Sequence, residues 1–193
     1  MSEPVVTSGV PRGFLGLDRR GWPGTVIVAL IAALIAVGLP LVNGFVSADR
    51  PVPAGSTIEV GRGVTFTAAD GWTLDAEQTT RTNRVELAQG ALTYAVEAAT
   101  ATRSLLEEYE RMAAEIRDGS GAQLFNGPAP FTTDDGVVGI VGSYGSSTSE
   151  GRFGVFQAGP TVVRVLAHGP PDAMAAGLAD VSFMARTLRI VPP

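Results

Sequence analysis

The sequence predicts an α+β chain: an antiparallel β-sheet packed with two amphipathic helices, preceded by one N-terminal transmembrane helix. Three observations predict it. Thr25 to Leu39 is apolar without a break, and the apolar character resumes after Pro40 and reaches Val46. From Ile58 the pattern changes to period two, in short runs bounded by Gly, Pro and Asp. Two later stretches, from Ser104 and from Asp172, carry apolar stripes at helical spacing. Several strands, a helix, several strands and a helix, joined by short links, is the order of an antiparallel sheet backed by helices and not of a doubly wound one.

Residues 1–21 hold scattered Pro, Gly, Ser and Thr with no apolar period and read as a flexible cytoplasmic tail. Residues 22–47 read as a transmembrane helix. Thr25 to Val46 makes roughly 33 Å of helix, enough to cross a hydrocarbon core of about 30 Å, whereas the apolar part of a secretory signal spans only about 7 to 15 residues. Two cleaved leaders are the alternatives. Val46 and Ala48 occupy the small-residue positions of a cleavage site before Asp49, and Arg19 with Arg20 raises a twin-arginine signal that Trp22 and Pro23 fit poorly. Arg12, Arg19 and Arg20 precede the helix, while the charge-balanced Asp49 and Arg50 follow it. The positive-inside rule then leaves the N-terminus in the cytoplasm and the C-terminal domain extracytoplasmic, a single-pass protein of the cell membrane that meets lipid through this helix. Thr25, Ala29, Ala32, Ala33 and Ala36 set a small-residue stripe along one helix face, which lets a second helix approach closely; the plainer account is that alanine is common in this chain.

Residues 48–56, ADRPVPAGS, contain two prolines and read as an extended linker, leaving 57–193 as the extracytoplasmic α+β domain. GVTFT (63–67) and WTLDA (72–76) flank the turn residues Asp70 and Gly71 and predict a first hairpin. RVELAQ (84–89) and LTYAVEA (92–98) follow as strands. In SLLEEYERMAAEIRDG (104–119) Ser104 and Glu107 have capping-box spacing, Gly119 is the expected terminator, and Leu105, Leu106, Tyr109, Met112, Ala113 and Ile116 form the apolar stripe. LFNGPAPF (124–131), GVVGIVGSYG (136–145), RFGVFQA (152–158) and TVVRVLAH (161–168) predict four more strands. Gly136, Gly139, Gly142 and Gly145 recur every three residues, fall on both faces of their strand and suit close packing or bulges. Asp172 to Leu188 places Met174, Leu178, Val181, Ala185 and Leu188 on one stripe of a closing helix.

Composition excludes several chemistries. There is no cysteine, which removes disulfides, thiolate metal sites and thiol catalysis together. There is no lysine either, so the glycines form no P-loop. From Asp49 onward eleven Arg stand against seventeen Asp and Glu, a net of −6, which argues against nucleic acid and against docking on anionic headgroups. His168, the single histidine, lies at a strand end, with Arg164 on the same face about 13 Å away by strand rise. No GxSxG elbow accompanies it, and a hydrolase would need a cleft bringing His168 beside a serine and a carboxylate. Asp134 and Asp135 read as turn residues and not as calcium ligands. Glu107, Glu108 and Glu110 read as a solvated helix face, with Glu107, Arg111 and Glu115 spaced to pair. Trp72 leads an apolar strand face and reads as core. No cofactor, metal or catalytic residue is expected, and the chain reads as no enzyme.

GVTFTAADGW (63–72), the central helix and the closing helix resemble the PsbP-like domains, named for a photosystem subunit and found also in Ran-binding proteins and mycobacterial lipoproteins. The resemblance covers roughly 58–190; Ala68 and Ala69 stand where proline is common in that turn. The whole chain is similar to single-pass envelope proteins of actinobacteria. The resemblance implies a non-catalytic module that binds or helps assemble another envelope or membrane protein through a sheet edge, loops or the transmembrane helix. The alternative is the binding or sensing of a small apolar or lipid-like ligand between sheet and helix, in a cavity lined by Phe66, Phe153 or Phe156.

Overall fold

The computed structural model describes residues 50–76, 78–79 and 83–191. The predicted tail, the transmembrane helix with its stripe of Thr25, Ala29, Ala32, Ala33 and Ala36, and the cleavage site lie outside the described residues. Among the described residues no helix is long and apolar enough to cross a membrane.

The chain forms strands β1 (Arg50–Pro51), β2 (Thr57–Gly61), β3 (Val64–Thr67), β4 (Thr73–Leu74), β5 (Arg84–Gln89) and β6 (Leu92–Thr100), then helix α1 (Leu105–Ser120). Strands β7 (Gln123–Leu124), β8 (Ala129–Thr132), β9 (Val138–Gly145), β10 (Glu150–Ala158) and β11 (Thr161–Gly169) follow. Helix α2 (Pro171–Arg186) and strand β12 (Arg189–Ile190) close the domain. The large sheet runs β1-β4-β5-β6-β11-β10-β9-β7, with β8 also along β9, and the small sheet runs β12-β3-β2; every pairing is antiparallel.

The predicted hairpin between 63–67 and 72–76 does not form. Gly61, Arg62 and Gly63 all take positive φ, so the chain reverses there and β3 pairs with β2, its register broken by a bulge between Glu59 and Gly61. Residues 68–72 instead carry the chain from the small sheet to the large one. Residues 50–56, read from sequence as a spacer, are bonded into the domain: β1 pairs with β4, the Val52 amide donates to the Trp72 carbonyl and the Gly55 amide to that of Ala68. LFNGPAPF also breaks, at Gly127 and Pro128, into β7 and β8, leaving Phe125 56% exposed between them.

Ser104 caps α1 as predicted: its hydroxyl accepts from the Glu107 amide, and the Glu107 carboxylate accepts from the Ser104 amide at 2.9 Å and its hydroxyl at 2.8 Å. These bonds, backbone first, hold the Glu107 carboxyl below the usual glutamate range. A depressed carboxylate stabilises the fold above its unfolded pKa and ceases to do so as pH falls through its folded one. The destabilisation caused by Glu107→Gln, measured by urea unfolding against pH, therefore shrinks towards zero at the acid end. The helix stops at Gly121, φ 62°, two residues beyond the expected Gly119, with its amide bonded to the Arg117 carbonyl.

One apolar core lies between the large sheet and the layer made by α2 and the small sheet, and holds Phe66, Trp72, Tyr94, Phe156 and Met184. The other lies under α1 and holds Tyr109, Met112, Tyr144, Phe153 and Val155. Helix α2 buries Met174, Gly177, Val181 and Met184, while Leu178 and Ala185 of the predicted stripe are only partly covered. Both edges of the large sheet carry a proline aimed outward. The Val52 amide bonds to Trp72 and the Thr133 amide to the Val137 carbonyl, so strand alternation turns the nitrogens of Pro51 and Pro130 away from the sheet.

Candidate functional site

The two faces of the large sheet are covered unequally. Helix α1 packs on β7, β9 and β10, and α2 on β6, β10 and β11. On the α1 side, β4, β5, β6 and the end of β11 present Thr73, Ala88, Thr93, His168, Arg84 and Glu97, which are not buried, around Glu86 and Ala95, which are. Among the described residues no helix or strand lies over this half of the sheet.

A carboxylate marks the border between the covered and open halves. Glu108, read from sequence as part of a solvated face, has only 7% of its side chain exposed. Its Oε1 accepts from Arg164 Nη2 at 2.6 Å and Nε at 2.7 Å, and from Arg111 Nη2 at 2.6 Å. Arg164, 18% exposed, also reaches Glu115 at 3.6 Å, and Arg111 is paired with Glu115. Beside it Arg84 meets Glu86 at 2.9 Å and Glu97 at 3.8 Å. Charges thus alternate from strand to helix across the border, and each buried charge is compensated.

The predicted His168, a serine and a carboxylate do share one opening, of about 390 Å³, lined by Met112, Glu115, Ile116, Tyr144, Ser149, Leu166 and His168. Their hydrogen bonds lead elsewhere. The His168 ring lies 2.8 Å from the Thr93 hydroxyl, Ser149 donates to the Gly169 carbonyl, and Glu115 faces arginines. Burial pushes the Tyr144 hydroxyl up to about 12, so it stays protonated at this wall. Asp135 pairs with Arg189 at 2.8 Å, and the Asp134 amide bonds to the Arg186 carbonyl.

Of the three phenylalanines, Phe153 and Phe156 both border one crevice and Phe66 does not. Phe153 and Phe156 are three residues apart on β10, so their side chains leave opposite faces. Phe153 stacks on Tyr109 at 5.0 Å under α1, whereas Phe156 meets Phe131 edge-on at 5.7 Å on the α2 side. Phe66, also on the α2 side, is 1% exposed and in edge contact with Tyr94. The α2 side does contain an apolar crevice of about 170 Å³, between α2 and strands β8 to β11, walled by Phe131, Val141, Phe156, Val165, Val181 and Ala185. Sequence placed two of its lining residues, Phe153 and Phe156, and missed the rest, which come from other elements.

Such a sandwich of one helix, a large antiparallel sheet and a second layer of helix and small sheet is a PsbP-like fold. The chain is similar to the solution structure of cyanobacterial PsbP (CyanoP) from Synechocystis sp. PCC 6803, with 14% identity, coverage of 72% of this chain and 95% of that one, and a TM-score of 0.53. It is also similar to LpqN, involved in cell envelope biogenesis of Mycobacterium tuberculosis, at 12% identity, 75% and 91% coverage and a TM-score of 0.43. A protein of unknown function from Pseudomonas aeruginosa matches at 12% identity, 73% and 100% coverage and a TM-score of 0.45. No family model and no curated protein matches the chain. At these identities the likeness is one of fold.

Proposed function

We propose that the chain is a non-catalytic interaction module, anchored in the cell membrane by residues 22–47, whose extracytoplasmic domain engages another protein of the envelope. The observation that carries this reading is the half-covered sheet. Its open half mixes Arg84, Glu97, Thr93 and His168 with small apolar side chains, a composition suited to a partner that binds reversibly, since non-obligate interfaces are about as polar as the remaining surface. The outward prolines at both edges disfavour strand addition and favour contact through this face. The cations before the apolar run and their scarcity after it support the orientation.

Photocrosslinking amino acids at Ala88 and Thr93 in intact cells are expected to trap one discrete partner, and one at the exposed Val138 on β9 is expected to trap none. Equal capture from all three positions, or none from the open face, overturns the reading. Accessibility of a C-terminal epitope tests the topology separately, because an epitope reached only after permeabilisation refutes the orientation.

A further inference from the structure

The crevice beside α2 has an arginine at its mouth. Arg152 stands on β10 opposite Ser143 of β9 and Ala167 of β11, on the same face as Phe156. Its side chain is exposed and, among the described residues, makes no hydrogen bond or ion pair. On one side of it lies the apolar hollow of about 170 Å³. On the other lies a wider opening of about 320 Å³ against Met174 and Leu178, with Glu150 in its wall. Asn126 and Ser143 border both, and the Asn126 amide donates to the Ser143 hydroxyl at 3.0 Å, leaving its second N–H without a partner among the described residues.

Size and charge together select an occupant. An apolar cavity of about 150 Å³ takes a benzene molecule, while pockets for drug-sized ligands start at roughly 300 Å³. The hollow therefore suits one six-membered ring. A ring in it brings its substituent to the mouth, where a guanidinium offers paired donors matched to a carboxylate. Glu150 lines only the wider opening, so it disfavours a second negative charge on the far side of Arg152 without facing the ring. We propose that this crevice binds a small aryl monocarboxylate, its ring between Phe131, Phe156 and Val181 and its carboxylate on Arg152 and the free N–H of Asn126. The inference is independent of the partner-docking reading, which concerns the opposite face of the sheet.

The test uses the full-length chain in lipid nanodiscs with labelled valine methyl groups, titrated with phenylacetate, with its uncharged isostere phenylacetamide and with acetate; empty nanodiscs correct for partitioning. Phenylacetate is expected to shift Val141, Val165 and Val181 along one saturable curve, and acetate to leave them in place. Phenylacetamide, and phenylacetate with the Arg152→Gln variant, are each expected to bind about tenfold more weakly, the loss of one charge-assisted pair. Absence of saturable shifts at these valines overturns the proposal, and so does an Arg152→Gln variant that binds phenylacetate within twofold of the parent.

Discussion

Arg164→Met is expected to destabilise the domain by about 3 to 5 kcal/mol in urea unfolding, because it takes the most buried of its three arginines from the Glu108 carboxylate and leaves it Arg111 and, at 4.0 Å, Arg103. The strand itself tolerates methionine well, as Arg164 pairs across to Val155 and Glu97 in register and only its guanidinium is replaced. Adding Glu108→Leu to the same chain is expected to return most of that loss. A buried ion pair roughly offsets its own desolvation, so removing both charges leaves an apolar contact between α1 and β11 where one missing partner leaves an uncompensated charge. A double variant as unstable as Arg164→Met would show that the arginine acts through its methylene packing and not through its charge.

Trp72→Ala is expected to cost about 3 to 5 kcal/mol, the range for deleting a large aromatic ring from a core. The indole is 1% exposed, meets the Tyr94 ring edge-on at 6.2 Å and directs Nε1 toward Asp180 of α2 at 3.5 Å. It thus joins the chain leaving the small sheet to both the large sheet and α2. Trp72→Phe keeps part of the ring and loses only the indole edge, so its thermal midpoint should fall between those of the parent and Trp72→Ala. If Trp72→Phe proved as damaging as Trp72→Ala, the long polar contact to Asp180 would outweigh the packing, contrary to its geometry.

What was legible in the sequence was what alternation and capping encode. RVELAQ became β5 with the same ends, Ser104 and Glu107 form the reciprocal cap, and Trp72 entered the core. The first hairpin was misplaced because Asp70 and Gly71 look like a turn locally, while the tighter reversal at 61–63 is visible only once positive φ is known for three residues in a row. The environment of Glu108 could have been anticipated. An arginine in the middle of TVVRVLAH needs a counter-ion, and Glu108 lies one turn from Arg111 at the margin of the apolar stripe of α1. Of the phenylalanine triad, Phe153 and Phe156 line the α2 crevice although an offset of three sends their rings to opposite faces of β10, and Phe66 lies in the core. The α2 crevice was not legible, because Phe131, Val165 and Val181 come from three elements whose juxtaposition depends on sheet order.

The outward prolines at both rims carry a consequence for the proposed membrane-anchored state. Copies concentrated in two dimensions collide often, and two sheets with unblocked rims can zip together and grow into fibres. Pro51 and Pro130 each remove an outward amide that a neighbouring copy could bond, which disfavours joining rim to rim at these positions.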